Sequence, residues 1–597
     1  MSLRSPTPSN LSEEAHCREA ATSANSLGQS AELSSWSQAL QREAFLWKLL
    51  PSALILLLVA ALYLLGLGRS ALFDPDEGRH AEIAREALET GNWITPTLNY
   101  EPYHHKPMPF YWLVGAGLRA FPHDPEFGAR LPSATAAILA VTATTGWATA
   151  LLGPMVGLLS AIILGTAGGF FVAGRVVLVD MSFTWWVTAS HLAVGWLALS
   201  RSARFWWLPW ACVGVAVLLK GPAALVLLAG SMLTFSVATR GWGWLRKLRP
   251  VPGLAVALMV GGSWYALAAM NAPDYVRDFL WLHNVERFVS GAPGHPRNPF
   301  YYLYTLPAIF LPWSLWWPLA LSPVLQKIRE KDRVYLFCAS WALVVVLFFS
   351  ASSSKLPTYV LPAFPPLAIL TAAGLATLLH SADSPAWAST WAKGVHYVLA
   401  GVALAVALMG WLLLRLFGEA ELAEAVLMVS GSAALLSVVG WWLQPKPSTR
   451  FSVTFVTLAC VASELVFSLF AAPHLQSRYS LRDAAQALAA LPEIAELYSY
   501  RAGYHSLLFY SQRQIVTLED IAAAARLLAS DHPAALLTKR SHARDVLCAT
   551  QAPLFQLWTG ERNKILLANA AAAQKAGSGW SSPAACDGPA QGQGAID

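Results

Sequence analysis

The sequence predicts a polytopic α-helical membrane protein that ends in a small α/β domain. Three observations predict it. Only 13% of the 597 residues are charged while 55% are hydrophobic, against about 25% charged in a soluble domain. Apolar runs of about 20 residues, enough to cross a bilayer as a helix, recur along most of the chain. Beyond about residue 471 they give way to shorter amphipathic segments. The net charge of +6 is scattered over loops, which suits loop orientation and not a nucleic-acid surface.

Residues 1–44 are rich in Ser, Ala and Glu and hold no apolar run. They are expected to be a disordered cytoplasmic tail and not a cleaved signal peptide. Residues 45–471 form the membrane domain. Hydropathy marks about thirteen spans there, at 46–67, 132–152, 154–173, 183–199, 205–219, 222–238, 251–270, 302–322, 334–351, 360–379, 395–415, 425–443 and 451–471. Basic residues set their direction. Arg201 and Arg204 share one loop, Arg240, Arg246, Lys247 and Arg249 a second, Lys327, Arg329, Lys331 and Arg333 a third, and Lys446 and Arg450 a fourth. With the N-terminus inside, all four loops fall in the cytoplasm, as the positive-inside rule requires. The segment from 472 is then outside.

The same alternation places the loop 68–131, the turns at 175–182 and 220–222, the loop 271–301 and the stretch 352–359 on the outer side. In the first of these, "DEGRHAEIAREALET" reads as an amphipathic juxtamembrane helix. Acids in its first turn suit the helix dipole, and Ile83, Ala84, Ala87 and Leu88 make its apolar side. Gly91 ends it, and such a helix is expected to lie along the membrane surface. Prolines at 102, 107 and 109 exclude a regular helix through "PYHHKPMPF".

Two readings of the polar groups stay open at this point. In the plain one, Asp76 and Glu77 start a helix, His104, His105 and Lys106 are interfacial, and Asp180 caps a span. In the functional one, Lys106, Lys220, Arg287 and Lys355 converge at one level of the outer face. Charge near the hydrocarbon is costly and is usually kept for partners or work; grouped cations there suit a phosphate at the membrane surface.

From Arg478 the pattern changes. "LRDAAQALAAL" and "LEDIAAAARLLAS" read as helices, and "IAELYSY", "QIVTL", "AALLTKR" and "PLFQLWT" as strands, which together suggest an α/β domain over 472–570. It has no Gly-rich phosphate loop or nucleophile elbow, so support or acceptor docking is the expected role. The Ala/Gly/Gln-rich stretch 571–597 reads as a disordered tail. The cysteines, Cys17, Cys212, Cys338, Cys460, Cys548 and Cys586, show no metal or disulfide spacing. Cys548 and Cys586 could pair outside the cytoplasm.

The order of the motifs resembles the ArnT-like membrane glycosyltransferases, which are related to the protein O-mannosyltransferases and share the GT-C architecture. The resemblance rests on "PDEGRHAEIAREALETGNWITPTLN" (75–99), "PYHHKP" (102–107), "LVDMSF" (178–183), "LKGPAAL" (219–225), "HNVERF" (283–288), "HPRNPFYY" (295–302) and "FFSASSSKLPTYVLPAFPPLAIL" (348–370). It implies thirteen spans, an outer C-terminal domain and transfer of a sugar from a polyprenyl phosphate to a periplasmic acceptor. For this family the expected donor is undecaprenyl-phosphate-linked 4-amino-4-deoxy-L-arabinose or a related sugar, and the acceptor lipid A. The chain would then sit among membrane lipid in a bacterial inner membrane.

By the same resemblance Asp76 is the catalytic carboxylate and Asp180 the second acidic candidate. Lys106, Lys220 and Arg287 would stabilise the departing phosphate, with Tyr359 as hydroxyl donor and Lys355 beside it; Glu77 and Tyr103 are secondary candidates. Two departures from the pattern stand out: His105 precedes the loop lysine where Glu is common, and His283-Asn284 replaces Glu-His. The resemblance also implies a divalent metal in this region. His105, His283 and His295 could offer imidazole ligands to zinc. Transfer to protein or to another envelope glycan is the alternative within the class. A transporter or flippase of a lipid-linked anion is the alternative outside it, and would place its ionisable groups near mid-bilayer with repeated halves.

Overall fold

The structure is a computed structural model. It describes residues 51–576 except 201–202, 292–293, 381–385, 418–419, 444–447, 493, 495, 551–552 and 561–563. The expected tail at 1–44, the end of the chain from 577, Lys446, Cys17 and Cys586 lie outside the described residues. Cys548 is disulfide-bonded, so the thiol with no spacing signal is nonetheless paired.

Among the described residues each expected span falls largely on helix. By length and apolar composition seven helices are fit to cross a membrane, or up to nine if each of two bent pairs is one span. The first pair is Pro154–Gly165 with Gly168–Gly174, bent by 66°; the second is Tyr301–Ile309 with Trp313–Arg329, bent by 101°. Further expected spans fall on the shorter apolar helices Pro51–Leu64, Leu208–Lys220 and Ala223–Thr239 and on Val179–Leu199. In chain order we name α1 (Pro51–Leu64), α2 (Asp76–Thr90), α3 (Pro109–Ala120), α4 (Pro125–Leu152), α5 (Pro154–Gly165), α6 (Gly168–Gly174), α7 (Val179–Leu199) and α8 (Leu208–Lys220).

Bulky aromatics fill the membrane core, where Trp313, Trp316, Trp341 and Tyr63 are fully buried. A second apolar cluster joins α2 and α3 to the adjoining ends of later helices through Ile83, Tyr103, Phe110, Tyr111, Trp264 and Tyr275, and Phe509 of the C-terminal domain completes it. Burying a side chain of that size contributes about 1.5–3 kcal/mol, so the cluster ties the domain to the outer loop.

The expectation of a surface-lying helix at 76–90 is corrected here. α2 does start at Asp76 and does end at Gly91 in the left-handed conformation, φ 73°. Yet its polar residues Glu77, His80, Glu82 and Glu86 are buried along with the apolar ones. α3 packs on one side of it and the C-terminal domain on another, so the "solvent" face is an interface whose acids have partners. Glu82 pairs with Arg85, and Glu86 accepts from Thr97 Oγ1 and from the backbone N–H of Asn99 and Tyr100. The last three belong to a short hairpin, β1 (Thr97–Leu98) and β2 (Glu101–Pro102).

The C-terminal domain is a five-stranded sheet in the order β4-β3-β5-β7-β6, with β3 at Glu496–Tyr500, β4 at Ile515–Leu518, β5 at Ala534–Lys539, β6 at Phe555–Thr559 and β7 at Lys564–Ala568. β3 runs parallel to both β4 and β5, while β5, β7 and β6 pair antiparallel. The four expected strands are present; β7 and the helices His505–Ser511, Arg540–Thr550 and Ala570–Ala576 were not expected, and the last corrects the expected tail at 571–576, where Ala572 packs into the domain core. The domain docks by specific bonds. Ser506 N donates to Asp74 Oδ1 at 2.7 Å, and Asn99 exchanges two hydrogen bonds with the backbone of Ile515 at 2.8 and 2.9 Å. Gly78 packs so tightly on this domain that a Cβ there would sit 2.5 Å from Ser506 N.

Candidate active site

Asp180, in the first turn of α7, is buried. It caps nothing, so the plain reading of this residue fails. Its carboxylate forms an ion pair with Lys220 at the end of α8 and accepts from Thr358 Oγ1 at 2.5 Å. Lys220 is held among rings, its ammonium 4.3 Å from the centroid of Tyr359, 5.0 Å from Phe183 and 5.9 Å from Phe349. A desolvated ammonium over aromatic faces is further stabilised by their quadrupoles.

Lys106 belongs to the same group of charges. Tyr275 Oη donates to its backbone carbonyl at 2.6 Å, which fixes the proline-rich loop. Burial and the like charges of Lys220, Arg287 and Arg79 depress its ammonium from 10.5 to about 8, while Asp180 pulls the other way. Arg287 donates from Nε to Ser354 Oγ at 3.3 Å and interacts with the Tyr359 hydroxyl. Tyr359 also lies in the field of Asp180 and Asp76. Asp76 is ion-paired with Arg79 one turn along α2 and leaves 55% of its side chain exposed. Cations therefore outnumber carboxylates in this neighbourhood: Lys106, Lys220, Arg287 and Arg79 against Asp180 and Asp76.

The other expected residues are placed differently. Glu77 is bonded through both oxygens to buried Arg130, at 2.7 and 2.8 Å, and accepts from the backbone N–H of Phe73 and Val177. All its lone-pair directions are taken, which makes it a fastening of the loop. Lys355 is buried, and its ammonium donates to the backbone carbonyls of Ser352 and Arg297. Burial alone lowers its pKa, so it shapes the 352–359 turn without joining the other cations. Tyr103 is buried and stacks on His105 with centroids 4.8 Å apart.

His105 in turn lies 4.3 Å from the ring of His283. Burial first, then neighbouring positive charge, lowers both imidazoles to about 4, so both are neutral, the form that ligates metal. His295 does not complete the set: it is tied to Ser354 and Lys355 through its own backbone. Among the described residues no group of three or more His, Cys, Asp or Glu is placed to hold a metal ion. A zinc site needs three protein ligands or four. Two imidazoles beside Lys106 and Arg287 do not fit that need.

Further residues complete the site. Arg79 was legible as the i+3 partner of Asp76, and Thr358 stands within the quoted "SKLPTY". Arg130, Tyr275 and the His104–Asp278 pair, 3.1 Å apart, act across long sequence separations and left no local signal.

Comparison with known proteins shows the family. A family model described as dolichyl-phosphate-mannose-protein mannosyltransferase matches residues 51–270. The chain is 34% identical over 402 residues to undecaprenyl phosphate-alpha-4-amino-4-deoxy-L-arabinose arabinosyl transferase 1 of Pseudomonas fluorescens, covering 65% of this chain and 67% of that one. It is 31% identical over 446 residues to the arabinosyl transferase of Pseudomonas paraeruginosa, covering 71% and 79%. Its fold is similar to the crystal structure of ArnT from Cupriavidus metallidurans bound to undecaprenyl phosphate, with a TM-score of 0.73 at 23% identity over 88% of this chain and 98% of that one. The chain thus belongs to the ArnT family of membrane glycosyltransferases with GT-C architecture.

Proposed function

We propose that this protein transfers 4-amino-4-deoxy-L-arabinose, or a related sugar, from undecaprenyl phosphate to lipid A on the periplasmic side of a bacterial inner membrane. The observation that carries the reading is the grouping of Lys106, Lys220, Arg287 and Tyr359 in one electrostatic neighbourhood with buried Asp180, which the exposed carboxylate of Asp76 shares through Tyr359.

In the reaction the bond from the anomeric carbon to the phosphate oxygen breaks, and its electron pair leaves with undecaprenyl phosphate. Lys106, Arg287 and the Tyr359 hydroxyl meet the charge that grows on that phosphate, already oriented and partly shielded from water. Lys220, clamped by Asp180, keeps the local field positive. The acceptor oxygen then bonds to the anomeric carbon. A phosphate acceptor needs little deprotonation, so Asp76 orients it and stabilises positive charge on the carbon; with a hydroxyl acceptor the same carboxylate would take the proton. The charges lie at one end of the spans and not mid-bilayer, which favours transfer over transport.

The test is a lipid A mass spectrum from cells that make the lipid-linked sugar but lack their own lipid A glycosyltransferase. Expression of the intact chain adds one sugar mass to lipid A, and the Asp76→Asn form adds none. No gain with the protein present in the membrane would sink the lipid A acceptor, and a gain on glycoprotein or another glycan would replace it.

A further inference from the structure

Where α2 meets the C-terminal domain, three buried polar atoms have no hydrogen-bond partner among the described residues: Asp74 Oδ2, Arg79 Nε and His505 Nδ1. They belong to one place. His505 interacts electrostatically with Arg79, Asp74, Asp76 and Lys564, and with His80 beneath it. Lys564 stands 3.5 Å from Asp74 Oδ2, an ion-pair distance and not a well-formed hydrogen bond. The backbone around them is closely packed. Ser506 N is bonded to Asp74 Oδ1, and Gly78 leaves no space for a side chain against residues 505–506.

A buried polar atom left without a partner costs about 1–3 kcal/mol. Three at one junction, beside the exposed carboxylate of Asp76, mark a place built for something that both accepts and donates hydrogen bonds. Arg79 Nε can only donate, Asp74 Oδ2 accepts, and the imidazole nitrogen does either. Arg79, Lys564 and the titratable His505 against two carboxylates suit a partner with a phosphate and hydroxyls.

We propose that this junction is the acceptor subsite, and that the C-terminal domain supplies part of it through His505. A phosphorylated sugar headgroup is the ligand class: its phosphate takes hydrogens from Arg79 Nε and His505 Nδ1, and a hydroxyl donates to Asp74 Oδ2. The attacking oxygen is thereby brought beside Asp76. The inference rests on the reading of the chain as a transferase to a phosphorylated glycolipid, and it gives the domain a share in substrate recognition.

The test compares His505→Gln and His505→Ala with Asn99→Ala, which removes the two bonds to Ile515 and leaves Asp74 and Gly78 holding residues 505–506 at the junction. Acceptor KM, kcat at saturating acceptor and affinity for undecaprenyl phosphate are measured on the full-length protein in nanodiscs. Losing a hydrogen bond to a charged phosphate corresponds to a KM rise of roughly 10- to 150-fold, with kcat and undecaprenyl phosphate affinity unchanged; Asn99→Ala keeps the wild-type KM. An unchanged KM in both His505 variants would overturn the proposal, and so would an equal rise in Asn99→Ala. Retention of lipid A in the nanodiscs is read separately, and loss of retention in the His505 variants supports the subsite. Wild-type protein that retains lipid A but transfers nothing would sink the transferase reading alone; wild-type that does not retain it would sink the subsite.

Discussion

Replacing Lys106 with Met is expected to move stability and ligand binding in opposite directions. In the folded protein its ammonium titrates at about 8 against 10.5 for the unperturbed group. That difference corresponds to about 3 kcal/mol by which the fold disfavours the charged form. At pH 7 the folded and unfolded chains both hold the proton, so the whole cost is present. Between pH 8 and 10.5 the unfolded chain binds more protons, and stability rises with pH until the cost is gone. Lys106→Met keeps the length and removes the charge. The ligand-free protein should then unfold at higher temperature at pH 7, with the gain vanishing near pH 10.5. Undecaprenyl phosphate binding should weaken, because the cation the fold tolerates at a loss is the one that meets the phosphate. For the unsubstituted protein, binding weakens as pH rises through about 8. Thermal unfolding and calorimetric titration across pH 6.5–10 check both. A variant that melts lower and binds as before would refute the reasoning and make Lys106 a structural residue.

The pair Asp180–Lys220 gives a second expectation. Asp180→Asn or Lys220→Gln strands a buried charge and should cost roughly 3–5 kcal/mol, whereas the double variant should melt closer to the parent and stay inactive. Arg287→Ala, by removing a charge from the departing phosphate, should lower kcat about 10²–10³-fold, read by turnover at saturating donor. Glu77→Gln should reduce the yield of folded protein and leave the specific activity of what folds near the parent's, since both its oxygens serve Arg130 and the loop. His105 and His283 are held neutral with imidazoles at about 4; stability should fall as pH drops from about 6.5 towards 4, and His105→Gln with His283→Gln should flatten that slope in pH-dependent melting curves.

Much of this was legible because membrane chains write their architecture in long apolar runs, and because loop charge sets direction. The cations at 106, 220 and 287 could be named because a charge beside an apolar run has few innocent explanations. Local pattern failed where meaning lay in a distant partner. Glu77 and Asp76 are neighbours of identical chemistry in sequence, yet Arg130 makes the first a fastening while the second stays open to solvent. Lys355 looked like Lys106 until the carbonyls of Ser352 and Arg297 claimed it. α2 read as a surface helix because nothing in residues 76–90 announces that a domain more than 400 residues later will cover it.

Two arginines close off the end of the first span. Arg175 gathers the carbonyls of Leu62, Tyr63 and Leu65, and Arg130 those of Leu67, Ser70 and Ala71. Both come later in the chain than the groups they satisfy, and Ser506 comes later still. Truncation before Arg130 or Ser506 therefore removes the bonds that fasten the segment bearing Asp76.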